Sequence, residues 1–124
     1  MFDHVKFGVS DYPASKAFYV KALKPLGVTR AKEWPPNGVE LYHPKGKVSL
    51  CLYQSEEKLA HLHLAFVAKN RQQVDAFYHA ALKAGGKDNG SPGLRLIYHA
   101  NYYAAFVIDP DGHNIEAVCH EVEA

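Results

Sequence analysis

HVKFGVSDYPASKAFYVKALKPLG (residues 4–27) and HLAFVAKNRQQVDAFYHAALKAGG (residues 63–86) are one segment written twice, 59 positions apart. Aligned without gaps, His4 meets His63, Phe7 meets Phe66, Ala17-Phe18-Tyr19 meets Ala76-Phe77-Tyr78, and Gly27 meets Gly86. Apolar residues recur in a duplicated unit because both copies pack alike. A polar histidine at the head of both copies is not explained by packing. It points to a two-fold site with one imidazole from each half.

Each copy changes its period along its length. Val5, Phe7 and Val9 alternate with His4, Lys6 and Gly8, as in a half-buried strand with His4 on the open face. Asp11 is a helix cap candidate with Pro13 in the first turn, and Ala14, Phe18, Ala22 and Leu26 follow at helical spacing. Pro25 and Gly27 end that helix. In the second copy His61–Val67 is the strand, Asn70 the cap, and Val74, Phe77, Tyr78, Ala81 and Leu82 the buried helix face. Further strands are predicted over 28–34, 39–43, 47–54, 102–109 and 113–120. The segment 85–93 holds four glycines and a proline, so it reads as a loop or irregular strand.

The later strands repeat as well. HPKGKVSLCL (residues 43–52) aligns with DPDGHNIEAV (residues 109–118) at an offset of 66, which sets Pro44 on Pro110, Gly46 on Gly112 and Leu50 on Glu116. Each half is therefore β-α-β-β-β. The fold class is α+β: two tandem βαβββ modules forming one continuous, curved, mixed-sheet cup with the helices outside. The expected organisation is a single domain over residues 1–124, with module one at 1–54, a polar linker at 55–60 and module two at 61–124.

Composition narrows the function. The chain has 124 residues, 48% of them hydrophobic and 22% charged, as in an ordinary globular protein. A net charge of +1 gives no footprint for nucleic acid. No apolar run is long enough for a membrane span, and no export-signal layout opens the sequence. Cys51 and Cys119 have no CxxC spacing, so reduced thiols and a cytoplasmic location are expected.

Strand parity brings the chemistry together. His4 and His63 both point to the open face. In the last strand Ile115, Ala117 and Cys119 lie on the helix side, which leaves Glu116 on the open side. Two histidines and a carboxylate form a facial triad suited to Fe(II), and related sets hold Zn, Mn, Co or Ni. His4, His63 and Glu116 are thus the candidate metal ligands, with Glu116 also the candidate catalytic group. His61 lies two residues before His63 on the same face and is the alternative ligand. With Leu50 opposite Glu116, such a site would have three protein ligands. Cys51, on the other parity, reads as a core thiol. Arg95 offers a planar fork to a substrate carboxylate or phosphate, or forms a structural salt bridge. Tyr98 and His99 are further candidates for substrate contact, and His113 stands near the rim. Tyr102 and Tyr103 face opposite ways, so one lines the cup, and Tyr103 is taken as that residue. No Ser-His-Asp triad or cysteine nucleophile is evident.

These segments, with the closing AAFVIDPDGHNIEAV, resemble the vicinal oxygen chelate superfamily, also called the glyoxalase/bleomycin resistance/dioxygenase superfamily, over essentially the whole chain. The resemblance implies paired βαβββ modules around a divalent metal held at His4, His63 and Glu116. It implies an enzyme that chelates adjacent oxygens of a small substrate, with lyase, isomerase or dioxygenase chemistry. Glyoxalase I enzymes carry four protein ligands. Leu50 at the matching place departs from that pattern, and a three-ligand set is more similar to extradiol dioxygenases and fosfomycin-resistance transferases. A metal-free small-molecule or antibiotic-binding protein using the same cup is the alternative. Homodimers are common in the superfamily, with the cup formed within one chain or across two.

Overall fold

A computed structural model of the chain describes residues 1–57 and 60–122. The expected linker at 55–60 therefore lies partly outside the described residues. The first half runs β1 (His4–Val9), α1 (Tyr12–Leu23), β2 (Arg30–Trp34), β3 (Gly38–Tyr42) and β4 (Ser49–Gln54). The second runs β5 (His63–Val67), α2 (Arg71–Lys83), β6 (Lys87–Leu94), β7 (Tyr103–Ile108) and β8 (Asn114–Cys119). The βαβββ order holds in both.

Both helices start as their cap residues dictate. The Asp11 carboxylate accepts the Ala14 amide at 3.1 Å, and the Asn70 side chain accepts the Gln73 amide at 2.8 Å. Each such cap is worth about 1 kcal/mol. Helix α1 buries Tyr12, Ser15, Phe18, Tyr19, Ala22 and Leu23, so its inner face lies beside the predicted one and Ala14 stays exposed. A 3-10 turn at Lys24–Leu26 follows, and Gly27 closes it at φ 89°, a left-handed conformation that favours glycine.

The strands form two four-stranded mixed sheets, ordered β1-β4-β3-β2 and β5-β8-β7-β6. This corrects the expectation of one continuous sheet, since each half keeps its own ladder. Strand β1 runs parallel to β4 and β5 parallel to β8, while the other pairs are antiparallel. The glycine-rich segment is the eight-residue β6, which is irregular as predicted, with register shifts between Asp88 and Gly90 and between Gly90 and Gly93.

One core joins the halves. Phe7, Val9, Val39, Leu50 and Leu52 from the first sheet cluster with Phe18 and Leu23 of α1, Val74, Phe77 and Ala81 of α2, and Ala105, Val107, Ile115 and Ala117 from the second sheet. Polar contacts cross the same seam. The Tyr19 hydroxyl donates to Asp109 at 2.5 Å and the Ser10 hydroxyl donates to Asp111. Each sheet thus turns one face to the shared core and leaves the other open. No helix is long and apolar enough to cross a membrane.

Candidate functional site

The open faces are defined by register. In the second sheet His63 pairs with Asn114 and Ala65 with Glu116, and Phe106 of β7 lies across from Glu116. His63, Glu116 and Phe106 therefore share the open face, while Leu64, Phe66, Ile115 and Ala117 face the core. Glu116 is buried, with its side chain 2% exposed. His63 Nε2 donates to its Oε1 at 2.7 Å, and the Tyr102 hydroxyl donates to its Oε2. Burial, and then the carboxylate beside it, pushes the Tyr102 phenol up to about 12. His63 itself is half-exposed, so the pair is buried on the carboxylate side and open on the imidazole side.

In the first sheet His4 pairs with Ser49, and Lys6 with Cys51. The residue that matches Glu116 is the one two beyond the histidine's partner. That residue is Cys51, not Leu50. Leu50 pairs with Val5 and belongs to the core, so the expected pairing of Leu50 with Glu116 is off by one residue. The cause is one additional residue between Gly46 and β4, compared with Gly112 and β8. A one-residue slip exchanges the faces of a strand. Cys51 lies on the open face beside Ser49 and Glu40, with Ser49 donating to Glu40 at 2.8 Å. It is a buried free thiol, as is Cys119.

The other candidates separate cleanly. His61 does not approach Glu116. It lies against Gly112 and edge-on to His113, in a cleft of about 550 Å³ that also holds Ser10 and Asp111. His113 is buried in the seam, where Nδ1 accepts the Leu62 amide at 2.9 Å and the ring packs edge-on against Phe7. Tyr103 pairs with Cys119 on the helix side, and its hydroxyl donates to Asp75 of α2 at 2.6 Å. The lining tyrosine is Tyr102, one residue earlier, which parity with Ala104 and Phe106 would have selected. Tyr98 packs at a tilt against Tyr102 with ring centroids 4.8 Å apart, and His99 bonds His120 at 2.8 Å beside the same ring. Arg95 lies over Phe106 at 5.3 Å.

His63 and Glu116 are close enough to hold one ion together. His4 stands on the other open face, its Nδ1 taken by Asp3 at 2.6 Å and its side chain half-exposed. Among the described residues, no three His, Cys, Asp or Glu side chains of a single chain gather as a metal cage. The donors of one chain fit a metal by halves: an imidazole and a carboxylate on one open face, an imidazole on the other.

The sequence matches the family model for the glyoxalase/bleomycin resistance protein/dioxygenase superfamily over residues 1–117. The chain belongs to that superfamily. Among solved structures, a glyoxalase/bleomycin resistance protein from Albidiferax ferrireducens is 30% identical, with 96% of this chain and 98% of that one covered at a TM-score of 0.82. A provisionally assigned glyoxalase from Bacillus halodurans is 25% identical, with 96% and 95% covered at a TM-score of 0.75. Comparison with curated proteins gives no match. Within this superfamily fold, His63 and Glu116 occupy strand positions that the sequence alone had singled out.

Proposed function

We propose that the protein is a metalloenzyme that chelates adjacent oxygens of a small substrate, with its metal held between two copies of the chain. His63 and Glu116 of one copy and His4 of the other would be the ligands. The observation that carries this reading is the pair at 2.7 Å on the second open face, with His4 at the matching register of the first. Both sheets turn their helix sides to one core, and among the described residues His4 does not gather with His63 and Glu116 within one chain. A face-to-face pairing of first half with second half therefore calls for a second copy. A bound divalent metal would supply Lewis acidity toward adjacent substrate oxygens. The chain's own groups do the rest. Tyr102 holds one Glu116 oxygen and so aims the other toward His63. Cys51, at the register of Glu116, leaves a thiol at the fourth position.

Subunit mixing tests the arrangement. His4→Ala and Glu116→Gln should each abolish stoichiometric metal binding. When the two variants are unfolded and refolded together, mixed dimers hold one site with every ligand intact, so metal binding should return in part. No recovery would place the site within one chain or remove it altogether.

A metal-free binding protein is the second reading. Both Glu116 oxygens already have donors, so the pair is complete without an ion. Ligand stabilisation that is indifferent to chelators would favour it.

A further inference from the structure

Arg95 is built into the second open face. Backbone pairing continues past β6, since the Arg95 amide donates to the Tyr102 carbonyl at 2.7 Å. The two residues therefore face each other across the base of the 95–102 loop, on the same side as Phe106 and Glu116. The Tyr102 hydroxyl goes to Glu116 and the Arg95 guanidinium goes onto the neighbouring Phe106 ring. Its bed is made of glycines. A Cβ at Gly90 would lie 3.2 Å from Nη2, and one at Gly93 would lie 3.1 Å from Nη1. Nη2 donates to the Ser91 carbonyl at 2.7 Å, which fixes the fork further.

Among the described residues, no carboxylate forms an ion pair with Arg95. A guanidinium carries five donors, and Ser91 engages one of its nitrogens. An arginine held over an aromatic ring, with its fork hydrogen-bonded and no carboxylate paired to it, is preorganised for a planar or tetrahedral oxyanion. Its place on the same face as His63 and Glu116 assigns that oxyanion to the ligand of this face.

We propose that Arg95 receives an anionic oxygen group of the substrate, a carboxylate or a phosphate-like group, next to the oxygens presented to His63 and Glu116. The proposal rests on the reading of this face as the substrate site, but not on the metal. The test is calorimetric titration of the full-length protein with malonate and with inorganic phosphate at constant ionic strength, before and after the protein is stripped of metal with EDTA and dialysed free of it. One of the two anions should bind the metal-stripped protein, and which one does so separates the carboxylate source from the phosphate source. Arg95→Gln should weaken that binding about tenfold or more, and Arg95→Lys should weaken it less. Gly93→Ala keeps every charge but crowds the fork, so it too should weaken binding. A general attraction to positive surface would not respond to it.

Equal affinity in Arg95→Gln, or binding of neither anion, overturns the proposal. Binding that disappears once the metal is stripped places the anion on a metal and also overturns it, while leaving the metal reading in force. Conversely, a protein that holds no metal yet binds the anion through Arg95 sinks the metal reading alone.

Discussion

The two open faces descend from one repeated unit and have become chemically different. On the first sheet, neighbouring positions run His4, Ser49, Tyr42, Arg30 and then Lys6, Cys51, Glu40, Lys32. That face is polar and cationic, and its Lys6 ammonium lies over Trp34 and Tyr53 at 5.3 and 5.4 Å. On the second sheet they run His63, Asn114, Ile108 and then Ala65, Glu116, Phe106. That face mixes polar and apolar residues around one buried carboxylate. The helix sides tell the reverse story, with Phe7 matching Phe66 and Phe18 matching Phe77. Packing held those positions alike, because any change in volume there is felt throughout a close-packed interior. The open faces carried no such constraint, and only the leading histidine stayed the same on both.

That contrast is sharpest at two adjacent residues. Leu50→Glu would drive a carboxylate into the shared core and should destabilise the fold by about 3 kcal/mol or more in urea denaturation. Cys51→Glu, one position on, faces the open side and should fold, adding a fourth ligand that tightens metal binding. Equal losses of stability would undo the assignment of the two faces. Next in size, Glu116→Gln should cut metal affinity by more than the roughly 10–100-fold that loss of an outer hydrogen-bond partner costs. Calorimetric metal titration reads it, and an unchanged affinity would separate the second face from any metal role.

Tyr102→Phe should fall within that outer-partner range, at about tenfold. Tyr103→Phe should leave metal affinity alone and cost about 1 kcal/mol of stability through Asp75. An exchange of these two phenotypes would reverse the reading of the strand. The smallest effect lies in the seam. Burial, then the Asp109 carboxylate, raises the Tyr19 phenol well above its ordinary value. The folded state then holds that proton more tightly than the unfolded chain does. Stability is full below about pH 10 and falls as pH rises from there toward the folded-state value. Denaturation curves collected between about pH 8 and 11 should show the decline, and Tyr19→Phe should lessen it.

What could be read from the sequence follows the same division. The helix sides were legible because apolar residues repeat with the period of the element that buries them, and the caps at Asp11 and Asn70 behaved as their side chains require. His63 and Glu116 were placed on one face by parity alone. Cys51 was missed because Pro44 and Gly46 align with Pro110 and Gly112, and the first loop hides one more residue after its glycine. Turn residues record the chemistry of the turn and carry no record of how far the next strand lies. Tyr102 and Tyr103 are neighbours of the same type, so composition could not choose between them. The separation of His4 from His63 within one chain is set by how the two halves dock, a property of the whole core rather than of any local pattern.

The shared core has a consequence for the chain as a material object. Phe7, Phe18, Phe77 and Val107 belong to one cluster, so neither half can keep its apolar side dry alone. Severed between Gln54 and His63, the protein would be two sticky fragments rather than two small domains. Mixed in equal amounts, those fragments should recognise each other and rebuild the parent fold, the behaviour sought in a split reporter.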